Sequence, residues 1–262
     1  MCNRTVKIDC KGYKFKDIAA GMGHIIALTH DNKIFGQGAN VKGQLGKAFK
    51  ESNDKKYYRG YLKYYKSLLE LSYIPCKHKI TQINAGQYHS MLLSNEGEVY
   101  MLGSKRFRDL TSDLLSREIS DCFMPTKIEL PKVVEIATGS NHTLFLTGIY
   151  FINCLEDNEL YGIGANEYGQ LDGEIIHYRD VEDVPRKIQV KTEGRIVRIK
   201  AGNISSCVFT DKGEVWYWGG FQSDGAGFNL LNTEIEDITK RGEKIIDFDM
   251  GYGHDVLLTE VE

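Results

Sequence analysis

The sequence predicts an all-β fold built from about five copies of one strand unit, and three observations carry that expectation. A glycine followed three residues later by His or Ser recurs five times. A turn residue and a second glycine follow it at nearly constant spacing. Glycine is abundant at 27 residues and proline scarce at 4, so chain reversals fall to glycine, which favours many short strands over long helices.

The five motif pairs are Gly21 and His24, Gly86 and His89, Gly139 and His142, Gly202 and Ser205, and Gly251 and His254. Successive glycines lie 65, 53, 63 and 49 residues apart, about one propeller blade with variable loops. Their surroundings align without gaps. Three residues before each glycine stand Ile18, Ile83, Ile136, Ile199 and Phe248, and seven after it stand Leu28, Leu93, Leu146, Phe209 and Leu258. A hydroxyl follows at Thr29, Ser94, Thr147, Thr210 and Thr259. The run between glycine and hydroxyl is apolar on both faces, as a strand sandwiched between two sheets requires.

The second landmark is a turn residue, Asn32, Gly97, Asn158 or Gly213, ahead of another strand. Asn and Gly tolerate the positive φ of tight hairpins. The turn residue follows the motif glycine by 11 residues in repeats one, two and four and by 19 in repeat three, so repeat three carries an insertion. Six residues further on comes Gly38, Gly103, Gly164 or Gly219. The unit reads strand, turn, strand, turn, strand.

With Gly38, Asn40, Gly43, Gln44, Leu45 and Gly46, and again Gly164, Asn166, Gly169, Gln170 and Leu171, the pattern resembles the repeat of the regulator-of-chromosome-condensation family. Copies two and four lack the N-x-x-G-Q-L segment. The resemblance spans 15–259 outside the inserts and implies a single β-propeller domain over 1–262. The family usually has seven blades and includes a guanine-nucleotide exchange factor, ubiquitin-ligase accessory domains and scaffolds, so it specifies the fold more than the function.

Four full units and a fifth ending after its second strand give about five blades. Residues 4–9 read as a strand that would complete the last blade and close the ring; an incomplete ring covered by another polypeptide is the alternative.

The histidines His24, His89, His142 and His254 recur once per repeat, which points to one structural job each, bonding backbone groups at the turn between two strands. Ser205 in the fourth copy fits that job better than metal ligation. No phosphate-loop pattern and no G-x-S-x-G occur, and no catalytic, metal or cofactor residues are assigned. The reading is a non-enzymatic protein-interaction scaffold within a larger assembly. A guanine-nucleotide exchange factor or regulator of a Ran- or Rab-type GTPase is the alternative, and chromatin or nucleic-acid binding the third.

Four inserts interrupt the repeat, at 47–79, 104–131, 148–155 and 221–243. In the first, Tyr58, Tyr61, Leu62, Tyr65, Leu68 and Leu69 recur at three- and four-residue steps, which predicts a short amphipathic helix. It either packs on the propeller rim or offers a basic aromatic docking surface built from Lys55, Lys56, Tyr57, Tyr58, Arg59, Tyr61, Lys63 and Tyr65. The second insert, with Leu110, Leu114 and Leu115, reads as another short helix. The third lengthens a hairpin with Ile149, Tyr150, Phe151 and Ile152, an apolar protrusion or extra core. The fourth reads as a solvated loop.

A net charge of −3 makes nucleic acid an unlikely main partner. No apolar run reaches the length of a bilayer span, and residues 1–16 are too polar for a signal-peptide core. Six widely spaced cysteines without a C-x-x-C pair fit a reducing intracellular compartment. The expectation is cytoplasmic more than nuclear, with cytoskeletal or ciliary association open.

Overall fold

The computed structural model describes residues 8–46, 55–58, 62–71, 77–104, 121–151, 154–173, 181–220, 229–230, 243–251 and 255–261. Every regular element among them is a strand. Blade 1 holds β1 (Phe15–Ala20), β2 (His24–Thr29), β3 (Ile34–Ala39), β4 (Lys55–Tyr58) and β5 (Leu62–Glu70), with β4 outermost. Blade 2 holds β6 (Ile80–Ala85), β7 (His89–Ser94), β8 (Val99–Ser104) and β9 (Asp121–Ile128). Blade 3 holds β10 (Val133–Thr138), β11 (His142–Phe151), β12 (Cys154–Ala165) and β13 (Val181–Ile188). Blade 4 holds β14 (Ile196–Ala201), β15 (Ser205–Thr210), β16 (Val215–Gly219) and β17 (Asn229–Leu230). Blade 5 is the pair β18 (Glu243–Met250) and β19 (Asp255–Val261).

All five blades share one local signature. The first strand of each slips register against the second at the same repeat position: after Phe15, Ile80, Val133, Ile196 and Ile245. The extra residue bends the strand and increases its twist. Asn32, Gly97 and Gly213 adopt φ of 64°, 81° and 81°, the left-handed backbone their hairpins require.

The core lies between blades. Counting from each motif glycine as zero, side chains at +5 and +7 face the following blade, and those at −6, −3 and +6 face the preceding one. Ile26 and Leu28 of blade 1 therefore pack with Ile80, Ile83 and Leu92 of blade 2. Met91 and Leu93 pack with Val133, Ile136 and Phe145; Leu144 and Leu146 with Ile196, Ile199 and Val208; Cys207 and Phe209 with Ile245 and Phe248. Four clusters make four joints, and among the described residues none joins blade 5 to blade 1. Residues 4–7 of the expected closing strand lie outside the described residues. Ile8 and Cys10 line a pocket on blade 1 beside Phe15 and Ile18.

The helix expected in 47–79 is corrected. Lys55–Tyr58 and Leu62–Glu70 are antiparallel strands, and β5 supplies the fourth strand of blade 1. Its ladder with β3 shifts between Gly36 and Gly38, which face Leu69 and Tyr65, so β5 advances four residues while β3 advances two. The bulge brings Tyr65, Leu68 and Leu71 to the same buried side at three-residue steps, and that spacing imitates a helix. The second insert likewise supplies a fourth strand, β9; its expected helix at Leu110, Leu114 and Leu115 falls outside the described residues.

Candidate functional site

Gly21, Gly86, Gly139 and Gly202 each directly follow the first strand of their blade, with no room for a side chain. A Cβ on Gly21 would lie 2.2 Å from the carbonyl oxygen of Gly86; on Gly86, 2.7 Å from that of Gly139; on Gly139, 2.3 Å from that of Gly202. Close approach of successive blades is the reason for glycine here.

The histidine three residues on is buried and links two blades. Its Nε2 lies 3.0 Å from Ser90 Oγ for His24, 3.1 Å from Thr143 Oγ1 for His89, and 3.0 Å from Ser206 Oγ for His142. Each hydroxyl belongs to the residue after the next blade's motif residue. Ser90 donates its hydrogen to the Gln44 carbonyl at 2.8 Å, and Ser206 donates to that of Gln170 at 2.7 Å. Those hydroxyls have one hydrogen, so Nε2 must be the donor toward them and Nδ1 the bare nitrogen. Consistently, Nδ1 of His24 and of His142 is buried without a hydrogen-bond partner. Burial pushes the imidazoles down, to about 4 for His24, about 3 for His89 and about 4 for His142. They are neutral structural hooks. The ring of His24, His89 and His142 meets the next blade's hydroxyl and not, as the sequence led us to expect, backbone groups at a turn within its own blade.

The N-x-x-G-Q-L segments belong to the same joints. Asn40 Oδ1 accepts from Leu45 N at 2.8 Å and Asn166 Oδ1 from Leu171 N at 2.8 Å, which folds each loop so that the glutamine carbonyl meets the hydroxyl. Trp218 Nε1 also donates to the Gln170 carbonyl, at 3.0 Å. Further out, Gln82 exchanges two hydrogen bonds with the backbone of Ile136, and Glu135 accepts one from Ile199 N at 3.0 Å. Burial raises the Glu135 carboxyl to about 7.

Blade 4 breaks the series. Ser205 replaces the histidine and its Oγ lies 3.3 Å from Met250 Sδ. Arg198 and Lys200 instead reach Asp247 at 3.3 and 2.7 Å. Gly251 occupies the motif position of blade 5, and His254 lies outside the described residues.

The candidate docking residues divide. Tyr65 is 3% exposed and packs with Ile26, Leu28 and Leu71, so it belongs to the core. Lys55, Lys56, Tyr57 and Tyr58 run antiparallel to Lys63 and Tyr65 in the outermost ladder, while Arg59 and Tyr61 lie outside the described residues. Ile149, Tyr150 and Phe151 extend β11 beyond the length of its counterparts, pairing with Glu156, Leu155 and Cys154. Ile152 is outside the described residues. At the foot of this hairpin lies a groove of 840 Å³ between blades 3 and 4, lined by Lys132, Gly148, Glu159, Lys187, Lys191 and Arg195. Its lining carries four cations and one carboxylate. Sequence reading missed it because its basic residues come from three separate strand ends.

No protein-family model matches the sequence. The chain is 29% identical over 264 residues to the secretion-regulating guanine nucleotide exchange factor of Bos taurus, covering 95% of this chain and 51% of the relative. It is 28% identical over 245 residues to the regulator of chromosome condensation of Drosophila melanogaster, covering 90% and 41%. The fold of Prp20p from Saccharomyces cerevisiae superposes with a TM-score of 0.65 at 20% identity, covering 95% of this chain and 56% of that one. This is a repeat protein of the regulator-of-chromosome-condensation type. The chain spans about half the length of the curated relatives it matches.

Proposed function

We propose that this regulator-of-chromosome-condensation-type propeller works by binding protein, with the hairpin of β11 and β12 and the basic groove at its foot as the contact surface. One observation carries the reading: among the described residues blade 3 has the longest central hairpin, and its extension rises directly from a cationic groove. The recurring histidines are engaged in holding blades together, which leaves loops and rims for partners. The excess of positive charge fits an acidic segment of another protein. Lys187 pairs with Glu159 and Arg195 with Asp211, so part of that charge also organises the groove walls.

The test replaces residues 149–155 with an Asn-Gly turn and, separately, makes Lys132→Glu with Lys191→Glu. Affinity capture with the full chain should retain a partner that both variants lose at unchanged melting temperature. Equal retention by all three chains defeats the proposal.

A second reading is regulation of a small GTPase. It is favoured by the cattle relative, whose name is that of a guanine nucleotide exchange factor, and by Prp20p, whose binding to Gsp1p is stated with its structure. Acceleration of nucleotide release from Ran- or Rab-type GTPases by the full chain decides it.

A further inference from the structure

Four residues before the motif glycine, a side chain on the first strand reaches across to the backbone of the next blade. Gln82 stands there in blade 2 and clasps Ile136 twice, its Nε2 donating to the carbonyl at 2.7 Å and its Oε1 accepting from the amide at 3.0 Å. Arg198 stands there in blade 4 and donates to the Ile246 carbonyl of blade 5 at 2.9 Å. Glu135 holds the place in blade 3, and its Oε2 accepts from the amide of Ile199 at 3.0 Å. Ile136 and Ile199 are equivalent, each three residues before its own motif glycine. A neutral carboxyl has the hydrogen that lets it copy the clasp of Gln82, giving to the carbonyl while accepting from the amide. A carboxylate can only accept.

The surroundings decide which form is held. Four strands pack against β10. β14 brings Arg198 and Lys200, which favour the ion but are themselves drawn to Asp247 at 3.3 and 2.7 Å. β11 sets Leu146 opposite Glu135 and carries His142, and β7 carries His89, both of them neutral hooks. β6 has no titratable side chain. Loss of water around the carboxyl outweighs the amide bond and the two cations and lifts it to about 7. Opening the joint restores that water and the ordinary value, so ionisation favours the open joint.

The same two strands build the basic groove. β10 begins beside Lys132, three residues before Glu135. β14 begins at Ile196, beside Arg195 and three residues before Ile199. The clasp therefore ties the groove walls together roughly 10 Å along both strands.

We propose that Glu135 is a proton-operated latch: with its hydrogen it clamps blade 4 onto blade 3, and without it the joint loosens and the basic groove changes width. As regulation of the surface assigned above to protein binding, it rests on that reading; the latch itself acts with or without a partner.

Amide exchange of the isotope-labelled full chain, corrected for the intrinsic effect of pH, tests the latch. Opening at Ile199 should grow about tenfold between pH 6 and pH 8.5, as a value of about 7 against an ordinary 4.5 requires, while Ile136 serves as the internal reference. Global unfolding would move both amides together, so the ratio of their protection factors reports the joint alone. Glu135→Gln should hold that ratio constant. Adding Gln82→Glu to it should transfer the pH response to Ile136. In the native chain the amide resonances of Lys132 and Arg195 should shift with a midpoint near 7, and in Glu135→Gln they should stay fixed. The proposal is overturned by a constant ratio in the native chain, by a response that survives Glu135→Gln, by a folded double variant without a response at Ile136, or by groove resonances that ignore the midpoint. None of these readouts includes a partner, so their failure is separate from a failure of affinity capture.

Discussion

The joint between blades 3 and 4 and the joint between blades 4 and 5 perform the same task with different chemistry. In the first, Gly139 abuts the Gly202 carbonyl, His142 donates to Ser206, and Ser206 donates to Gln170. In the second, the Gly202 Cβ position faces the Met250 side chain at 2.5 Å, Ser205 touches the Met250 sulfur, and the polar link moves out to Arg198, Lys200 and Asp247. Buried hydrogen bonds of defined direction fix one geometry, whereas partly exposed ion pairs contribute little and tolerate movement. The difference teaches that the repeat encodes its tightest instruction at the motif glycine and histidine of the joint. Where the code lapses, apolar packing of Cys207, Phe209, Ile245 and Phe248 carries the contact.

The comparison breaks most sharply at the glycines. Gly139→Ala places a methyl 2.3 Å from a backbone carbonyl and should destabilise the chain by several kcal/mol, on the order of 3–5. Gly202→Ala meets the Met250 Cβ, which moves only with its backbone, at 2.5 Å and should cost only a little less, as chemical denaturation of the two variants will measure.

At the hook, His142→Ala leaves a cavity and removes the donor to Ser206, for a loss of roughly 2–4 kcal/mol. Ser205→Ala, at the same position of the lapsed joint, should cost about 1 kcal/mol or less.

Acidity separates the joints next. The three imidazoles have folded values below their ordinary 6.5, at about 4, 3 and 4, so their stability is present above pH 6.5 and is lost as pH falls toward 4. Glu135 runs the other way. Its folded value of about 7 exceeds 4.5, so its favourable contribution is complete below pH 4.5 and lost as pH rises through 7. Glu135→Gln should therefore raise the melting temperature at pH 8, by the equivalent of about 2 kcal/mol, and leave it unchanged at pH 4.5. A pH series of thermal melts checks both slopes.

The smallest effect is expected on β19, where Leu258 is 56% exposed. Leu258→Ser should change stability by no more than about 0.5 kcal/mol, whereas Leu146→Ser, at the identical repeat position inside a joint, should cost several times that. Equal losses would mean that the blade 5 face is covered.

The blade framework was legible because each requirement recurs at fixed spacing: glycine for close approach, Asn or Gly for positive φ, paired apolar positions for a two-sided strand. The hook was half legible. Its histidine stood out, while its partners Ser90, Thr143 and Ser206 sat one residue after the next motif and went unread as a hydroxyl series. The fourth strands were hidden because they need only pair with the third and therefore carry no shared motif. In β5 the bulge opposite Gly36 and Gly38 shifted the apolar positions to helical spacing, which no local pattern could correct. The basic groove was illegible for a different reason, since Lys132, Lys187 and Arg195 converge only once blades 3 and 4 meet.

The imidazole hook has a sense of direction. Blades 2 and 3 each give a hydrogen on one flank and receive one on the other, so a single unit turned end for end would set donor against donor on one side and acceptor against acceptor on the other. A duplicated or deleted unit, by contrast, leaves its neighbours still matched. Copy number in such a chain is free to drift by whole modules while the polarity of the array is conserved.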